Sequence, residues 1–280
     1  MLFVYRILIN LILLISPLII FFRILKKKED PKRFKEKFCY FSKKRIEGKL
    51  LWFHGASVGE ILSILPILEK LESDKRVKQI LITSNTVSSS RILLNFNFKK
   101  TIHQFFPIDT KSHTKIFLEY WKPSVAIFID SEIWPNTLHN INQLNIPSIL
   151  LNARITKKTF KKWIKIDTFA KKLFKQFNLC LSSSEQSKKY LKLLGATNIK
   201  YIGNLKFSQN EIKELSLSNN LKKRFKYKKI WCAASTHTSE EQICAVVHKK
   251  LKKKYNNLLT IIIPRHIDRT KKIIEEIKKL

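Results

Sequence analysis

Glycine, cysteine and acidic side chains are what this 280-residue chain has least of: five Gly, four Cys, and 21 Asp plus Glu against 55 Lys plus Arg. Five glycines and eight prolines exclude collagen-like and low-complexity designs. Cys39, Cys180, Cys232 and Cys244 are too sparse and too unevenly spaced for a disulfide framework or a Cys-x-x-Cys metal site. They read as reduced thiols in a reducing compartment. The acidic deficit leaves a formal charge of +34, yet the 44% hydrophobic fraction is that of a globular protein, which excludes wholesale disorder. The length suits one large or two small domains.

The basic excess does not by itself mean nucleic acid. Only ten of the 55 basic residues are Arg, the side chain that a nucleic-acid interface favours for bidentate contacts. Ile, Asn, Phe and Lys are all abundant, the mark of AT-rich coding. No nucleic-acid partner is expected, whereas an anionic membrane surface or a phosphorylated substrate remains open.

The most apolar stretch is the first. Ile7 to Phe22 is interrupted only by Asn10, Ser16 and Pro17. As a helix this run reaches about 24 Å, short of the roughly 30 Å hydrocarbon core. Arg6 and Arg23 could snorkel at its two ends. No small-residue cleavage site follows. Instead come Lys26, Lys27, Lys28, Lys32, Arg33, Lys35 and Lys37, which place the following body on the cytoplasmic side by the positive-inside rule. The expectation is an N-terminal anchor at the inner membrane with a cytoplasmic body.

Beyond Leu50, short apolar runs alternate with longer amphipathic ones. The predicted strands are Leu50–Phe53, Ile80–Thr83, Ile102–Phe106, Val125–Ile129, Ile149–Leu151, Leu179–Leu181, Trp231–Ala234 and Leu259–Ile263. Near-continuous apolar strands separated by helices imply an α/β fold with a parallel sheet covered on both faces. The spacing of Phe160, Trp163, Ile164, Ala170, Leu173, Phe174 and Phe177 predicts one helix over Thr159–Phe177, with lysines on its outer face. That face reads either as a solvated surface or as one that meets anionic head groups. A polar, lysine-rich boundary follows, and after it only two strand–helix units fit. The expected division is an anchor at 1–25, a first domain at 26–208, a linker at 209–229 and a partial second domain at 230–280.

In open parallel sheets, ligands bind outside the carboxyl ends of the strands, so the polar residues just after each strand carry the candidate chemistry. Ser57-Val58-Gly59-Glu60 fits a capping box, in which Glu60 only satisfies a backbone N–H. It equally fits a carboxylate held ionised at a helix start and free to act as a general base. Asp130 and Glu132 read either as a solvated loop pair or, for Glu132, as a stabiliser of positive charge on a sugar ring. Arg265, after a strand and before a helix, suits a phosphate. His237 and His266 lack ligand spacing, and no metal is expected.

Taken in chain order, WFHGASVGE from Trp52, SEIWPN from Ser131, NARIT from Asn152, GNLKF from Gly203, AASTHTSEE from Ala233 and PRHIDR from Pro264 resemble the 3-deoxy-D-manno-octulosonic-acid (Kdo) transferases of lipopolysaccharide assembly. The resemblance implies a GT-B glycosyltransferase of two Rossmann-like domains, the second incomplete here. The first takes the lipid A precursor (lipid IVA) and the second takes CMP-Kdo as donor substrate, with inversion and without a cofactor. It implies that Glu60 is the general base and that Glu132 and Lys206 stabilise the transition state. Ser57, Gly59, Asn136, Arg154 and Asn204 become substrate-binding positions, and Pro264 and Arg265 part of the CMP site.

Departures from the family pattern are Asp130 for Glu, Ser88 and Ser89 where Gly is usual, and Thr238-Ser239 for Pro-Gly. The Gly-Gly-His-Asn-like turn and the Asn-x-x-Glu stretch that complete the nucleotide site do not occur. The chain reads as C-terminally truncated, and the alternative to an active transferase is a membrane-anchored fragment that binds the lipid A precursor without catalysis.

Overall fold

A computed structural model describes residues 1–207 and 218–279 and divides the chain into two compact units, Met1–Glu211 and Ile212–Leu280. The first unit opens with helix α1 (Leu2–Leu25). It continues with β1 (Leu50–His54), α2 (Val58–Ser63), α3 (Leu65–Ser73), β2 (Gln79–Ser84), α4 (Val87–Ile92) and β3 (Thr101–Phe105). Then come α5 (Lys111–Trp121), β4 (Val125–Ile129), α6 (Pro135–Gln143), β5 (Ser148–Ala153), α7 (Lys157–Ile164), α8 (Asp167–Phe174), β6 (Leu179–Ser182), α9 (Glu185–Leu193) and β7 (Ile199–Tyr201). All seven strands are parallel, in the order β3-β2-β1-β4-β5-β6-β7. The order reverses between β1 and β4, as in a Rossmann-like doubly wound sheet.

Strand sequence explains why the sheet is buried on both faces. Leu50 and Trp52 of β1 point into one core with Phe128, Phe117, Leu138 and Phe174, while Leu51 and Phe53 point into the other with Ile61, Ile64, Leu68 and Ile82. Each such side chain contributes about 1.5–3 kcal/mol on burial, enough to override the alternation that a half-exposed strand would show. β3 lies at the sheet edge, and buried Glu36 covers part of it by accepting Phe105 N–H at 2.7 Å.

The eight predicted strands are all present, their ends moved by one or two residues, and β7 is added. The single helix expected over Thr159–Phe177 is two, α7 and α8, because Ile166 leaves the helical region (φ −125°, ψ 44°) and Asp167 starts a new turn. One residue out of register does not disturb the apolar periodicity, so the pattern could not show the break. Lys157, Lys158, Lys161, Lys162, Lys165, Lys171, Lys172 and Lys175 on these two helices are all exposed.

α1 does not stand clear of the body. Tyr5 Oη donates to Asp109 Oδ2 at 2.7 Å, Arg6 Nε donates to Asn136 Oδ1 at 3.0 Å, and Ser16 and Ile20 on the same helical stripe are buried. Neither expected snorkelling arginine is free for head groups. Arg6 is spent on Asn136, and Arg23 pairs with buried Glu29 at 3.0 Å. Phe3, Leu8, Leu11, Leu14, Leu18 and Phe21 on the rest of the helix are exposed.

Of the expected linker at 209–229, residues 209–217 lie outside the described residues, and the remainder carries helix α10 (Asn219–Phe225) and the first residue of β8 (Lys229–Thr236). β8 pairs in parallel with β9 (Leu258–Pro264), flanked by α11 (Glu240–Lys252) and α12 (Thr270–Lys278). Two strands bury little, and Ile230, Ile243, Ile263 and Ile267 remain exposed.

Ser239, where the family pattern has Gly, sits in the left-handed region at φ 75°. A side chain there costs about 1–2 kcal/mol, more than the extra unfolded-state entropy that Gly brings. Ser239→Gly is therefore expected to stabilise the second unit by about 0.5–1 kcal/mol, seen as a higher urea midpoint for the whole chain. A midpoint that fell would contradict the strain argument.

Candidate active site

The loops leaving β1 and β4 feed helices on opposite faces of the sheet, α2 in one core and α6 in the other. Between them three carboxylates come together. Glu60 lies in the first turn of α2, and Ser57 caps that helix by accepting Glu60 N–H at 3.3 Å. The Glu60 carboxylate reaches back to accept Ala56 N–H at 2.8 Å and the Ser57 hydroxyl at 2.7 Å. Gly55 makes room for this, because a Cβ there would stand 3.3 Å from Glu60 Cβ and 3.1 Å from Ile129 Cδ1. The capping geometry and the functional placement are thus the same arrangement.

The expected electrostatics is reversed. A helix start was expected to hold Glu60 ionised, but its carboxyl is pushed above the ordinary value. Burial is the main cause and the charges of Glu132 and Asp130 add to it. Together they outweigh the hydrogen bonds from Ser57 and Ala56. Asp130 is no solvated loop residue either. It holds φ 62°, its Oδ1 is buried without a hydrogen-bond partner among the described residues, and burial raises its proton affinity against the pull of Arg154 and Lys206.

Glu132 Oε2 accepts Trp134 Nε1–H at 3.0 Å and stands 3.3 Å from His54 Nε2, while its Oε1 takes no hydrogen bond among the described residues. Lys206 is presented by the turn after β7. Asn152, in the left-handed region at φ 55°, accepts Leu205 N–H at 3.1 Å, and Asn204 Oδ1 accepts Lys206 N–H at 3.0 Å. Lys206 Nζ comes to within 3.9 Å of where a Cβ on Gly59 would sit, so the ammonium lies over the start of α2. Arg154 N–H donates to Asp130 O at 3.2 Å, and its side chain is exposed.

Glu60, Glu132, Lys206, Ser57, Gly59, Arg154 and Asn204 therefore share one locality. Asn136 does not present itself to a ligand. It is fully buried, with Nδ2 donating to Asp109 O at 2.6 Å and Oδ1 taken by Arg6. The residues after β4 supply a structural tie there. Ser89, in place of the usual Gly, donates its hydroxyl to Ala56 O at 3.3 Å and braces the turn before Glu60.

In the second unit, Pro264 ends β9 and exposed Arg265 follows, its Nη1 3.5 Å from Ser235 Oγ. Arg269 is committed to buried Glu241 at 3.1 Å. Sequence reasoning passed over His54, Thr83 and Trp134. The first and last lie inside the quoted motifs, but nothing in spacing alone shows that a strand-end histidine reaches across to a loop carboxylate.

Residues 32–209 match the profile of the 3-deoxy-D-manno-octulosonic-acid transferase (kdotransferase) family. The chain is 37% identical to the 3-deoxy-D-manno-octulosonic acid transferase of Rickettsia bellii, over 95% of this chain and 63% of that one. It is 29% identical to the Haemophilus influenzae protein of the same description, over 96% of this chain and 65% of that one. With the Rickettsia felis relative, at 36% identity, the match covers 82% of this chain and 49% of that one. The chain thus spans between about half and two-thirds of the length of these curated relatives. Among solved structures, a UDP-GlcNAc 2-epimerase from Neisseria meningitidis superposes with a TM-score of 0.59 at 16% identity, covering 82% of this chain and 69% of that one. At that identity the likeness is one of fold, two α/β units of the GT-B kind.

Because Glu132 raises the proton affinity of Glu60, removing its charge lowers it. In Glu132→Gln the carboxyl carbon of Glu60 should titrate at lower pH than in the wild type, followed by NMR on the whole chain. An unmoved midpoint would separate the two carboxylates electrostatically.

Proposed function

The chain belongs to the Kdo transferase family, and from that premise we propose that it acts in moving Kdo from CMP-Kdo to the lipid A precursor, with Glu60 as general base. The observation that carries this reading is the raised proton affinity of Glu60 beside Glu132 and Asp130 at the strand-order reversal. A carboxylate with an elevated pKa is a stronger base than an ordinary one and still gains a proton from an alcohol as that alcohol attacks.

In this reading an acceptor sugar hydroxyl forms its C–O bond to the anomeric carbon of Kdo from the face opposite the leaving group. The bond from that carbon to the CMP phosphate oxygen breaks, and the hydroxyl proton passes to Glu60, giving inversion. Glu132 offers its free Oε1 to the positive charge that develops on the sugar. The Lys206 ammonium meets negative charge, and Pro264 and Arg265 belong to the CMP site. The proposal assigns no metal ion, following the family resemblance.

The membrane part of the reading follows from α1. The helix is long and apolar enough to cross a bilayer. However, it is tied to the body at Tyr5 and Arg6, and its Ser16 and Ile20 are buried. A helix so held lies in the interface with its exposed apolar side in lipid, rather than crossing. Exposed Lys26, Lys27, Lys28 and Lys32 would add about 1 kcal/mol each against anionic head groups, at the cytoplasmic face of the inner membrane. A second reading, a precursor-binding piece without catalysis, is favoured by the two-stranded second unit.

Incubating the whole chain with CMP-Kdo and lipid A precursor distinguishes these readings: Kdo transfer supports the first, and precursor binding without transfer supports the second. Where transfer occurs, Glu60→Gln should lower it by about 10² or more while thermal stability holds or rises, since the substitution removes a charge that folding disfavours. Turnover near wild type would end the base assignment. Leu11→Ser, Leu14→Ser and Leu18→Ser together should abolish flotation with vesicles containing anionic lipid and leave the fold intact, and continued flotation would place the membrane surface elsewhere.

A further inference from the structure

The reading above uses Glu132 but gives no account of what holds it in place. His54 closes β1 on the Trp52 side of the sheet and is fully buried. Its ring packs on Phe106 at a centroid distance of 4.1 Å and edge-on to Trp134 and Phe128 at 5.8 and 6.0 Å. Among the described residues two polar groups face it. Nδ1 is 2.9 Å from Thr83 Oγ1, and Nε2 is 3.3 Å from Glu132 Oε2.

The Thr83 hydroxyl already accepts Trp52 Nε1–H at 2.9 Å and has one hydrogen to give, to His54 Nδ1 at 2.9 Å or to Phe53 O at 3.4 Å. The shorter contact assigns that hydrogen to Nδ1, which leaves the ring proton on Nε2, whose polar neighbour is Glu132 Oε2 at 3.3 Å. Nε2 has no well-aligned hydrogen bond in the resting arrangement, so its one polar neighbour is the carboxylate.

We infer that His54 is a positioning residue: the series Trp52, Thr83, His54 delivers an N–H to Glu132 Oε2 beside that of Trp134, fixing one carboxylate oxygen and leaving Oε1 turned to substrate. Two ring donors on one oxygen restrain the carboxylate far better than one, because each ring is itself clamped by aromatic packing. Such restraint matters where charge develops on a substrate, since a misplacement of about 1 Å can cost about 10²-fold in rate. Glu132 is otherwise a partly buried side chain on a loop beside two other carboxylates, and repulsion from Glu60 and Asp130 would drive it outward.

His54→Phe keeps the aromatic packing and removes both nitrogens, whereas His54→Gln returns an N–H at the place of Nε2. The first readout does not depend on catalysis. In whole chain labelled with ¹⁵N-tryptophan, and with the Trp134 signal assigned through Trp134→Phe, the indole proton of Trp134 should move upfield in His54→Phe as Glu132 swings away. It should return toward its wild-type position in His54→Gln. A converse measurement covers the case in which His54→Phe fails to fold: with ¹⁵N-histidine, Glu132→Gln should shift the Nε2 resonance of His54.

The second readout rests on the proposed function. In Kdo transfer, His54→Phe should lower kcat by about 10- to 100-fold with KM within about threefold, and His54→Gln should recover most of it. An unmoved Trp134 indole in a folded His54→Phe, an unmoved Nε2 in Glu132→Gln, or equal kcat in the Phe and Gln variants would overturn the inference. A wild-type chain that transfers no Kdo would count against the function reading alone, and the two resonance measurements would still decide the role of His54.

Discussion

Repulsion among Glu60, Asp130 and Glu132 is the constraint to which the rest of the first unit answers. Three carboxylates meet where the sheet reverses its order, partly withdrawn from water, and burial makes each charge more costly to its neighbours. Every nearby device reduces that cost or exploits it. Ser57 and Ala56 hold Glu60, the Trp134 indole holds one oxygen of Glu132 with His54 Nε2 3.3 Å from it, and Arg154 and Lys206 counter Asp130. The remaining imbalance falls on Glu60, whose proton affinity rises. A protein folding for stability alone would not gather these charges, and the cost is carried by the two cores on either side of the sheet.

Backbone geometry does the placing. Asp130 and Asn152 end β4 and β5 in left-handed conformations, which sends the chain sharply away from the sheet at the two points where side chains must be delivered. Asn152 then receives Leu205 N–H, so the turn that carries Lys206 is fastened to β5 from more than fifty residues away in sequence. Asn and Asp tolerate this conformation better than other residues with side chains, because short polar groups can bond locally. The motifs are therefore partly instructions for turning the chain and partly the chemistry itself.

The strands and their parallel arrangement were legible in the sequence, because continuous apolar runs are local signals, whereas the grouping of Glu60, Glu132 and Lys206 came from the family resemblance. What was not legible is relational. The raised proton affinity of Glu60 comes first from its burial, and then from two carboxylates about seventy residues away, neither of which a helix-start pattern shows. Asn136 looks like a surface amide in SEIWPN, yet Asp109 and Arg6 bury and occupy it. The break at Ile166 is silent because periodicity survives a single non-helical residue. His54 follows the predicted strand Leu50–Phe53 with no role assigned, and only the fold puts Thr83 on one side of its ring and Glu132 on the other.

Asp109 joins the apolar N-terminal helix to these carboxylates. Its buried carboxylate accepts Tyr5 Oη–H from α1, and it also accepts Asn136 N–H, Thr137 N–H and Thr137 Oγ1–H at the start of α6. The segment just before that start is the one that carries Glu132 and Trp134. A displacement of α1 would thus be felt first at the N-terminus of α6, and next at the loop that holds Glu132 Oε2. Removing Tyr5 would still leave three donors on Asp109, so the joint is held mainly from the body's side, and α1 is fitted to a site that is already fixed. In that order of dependence the helix is fitted to the body, and the sheet sets the geometry of the carboxylates.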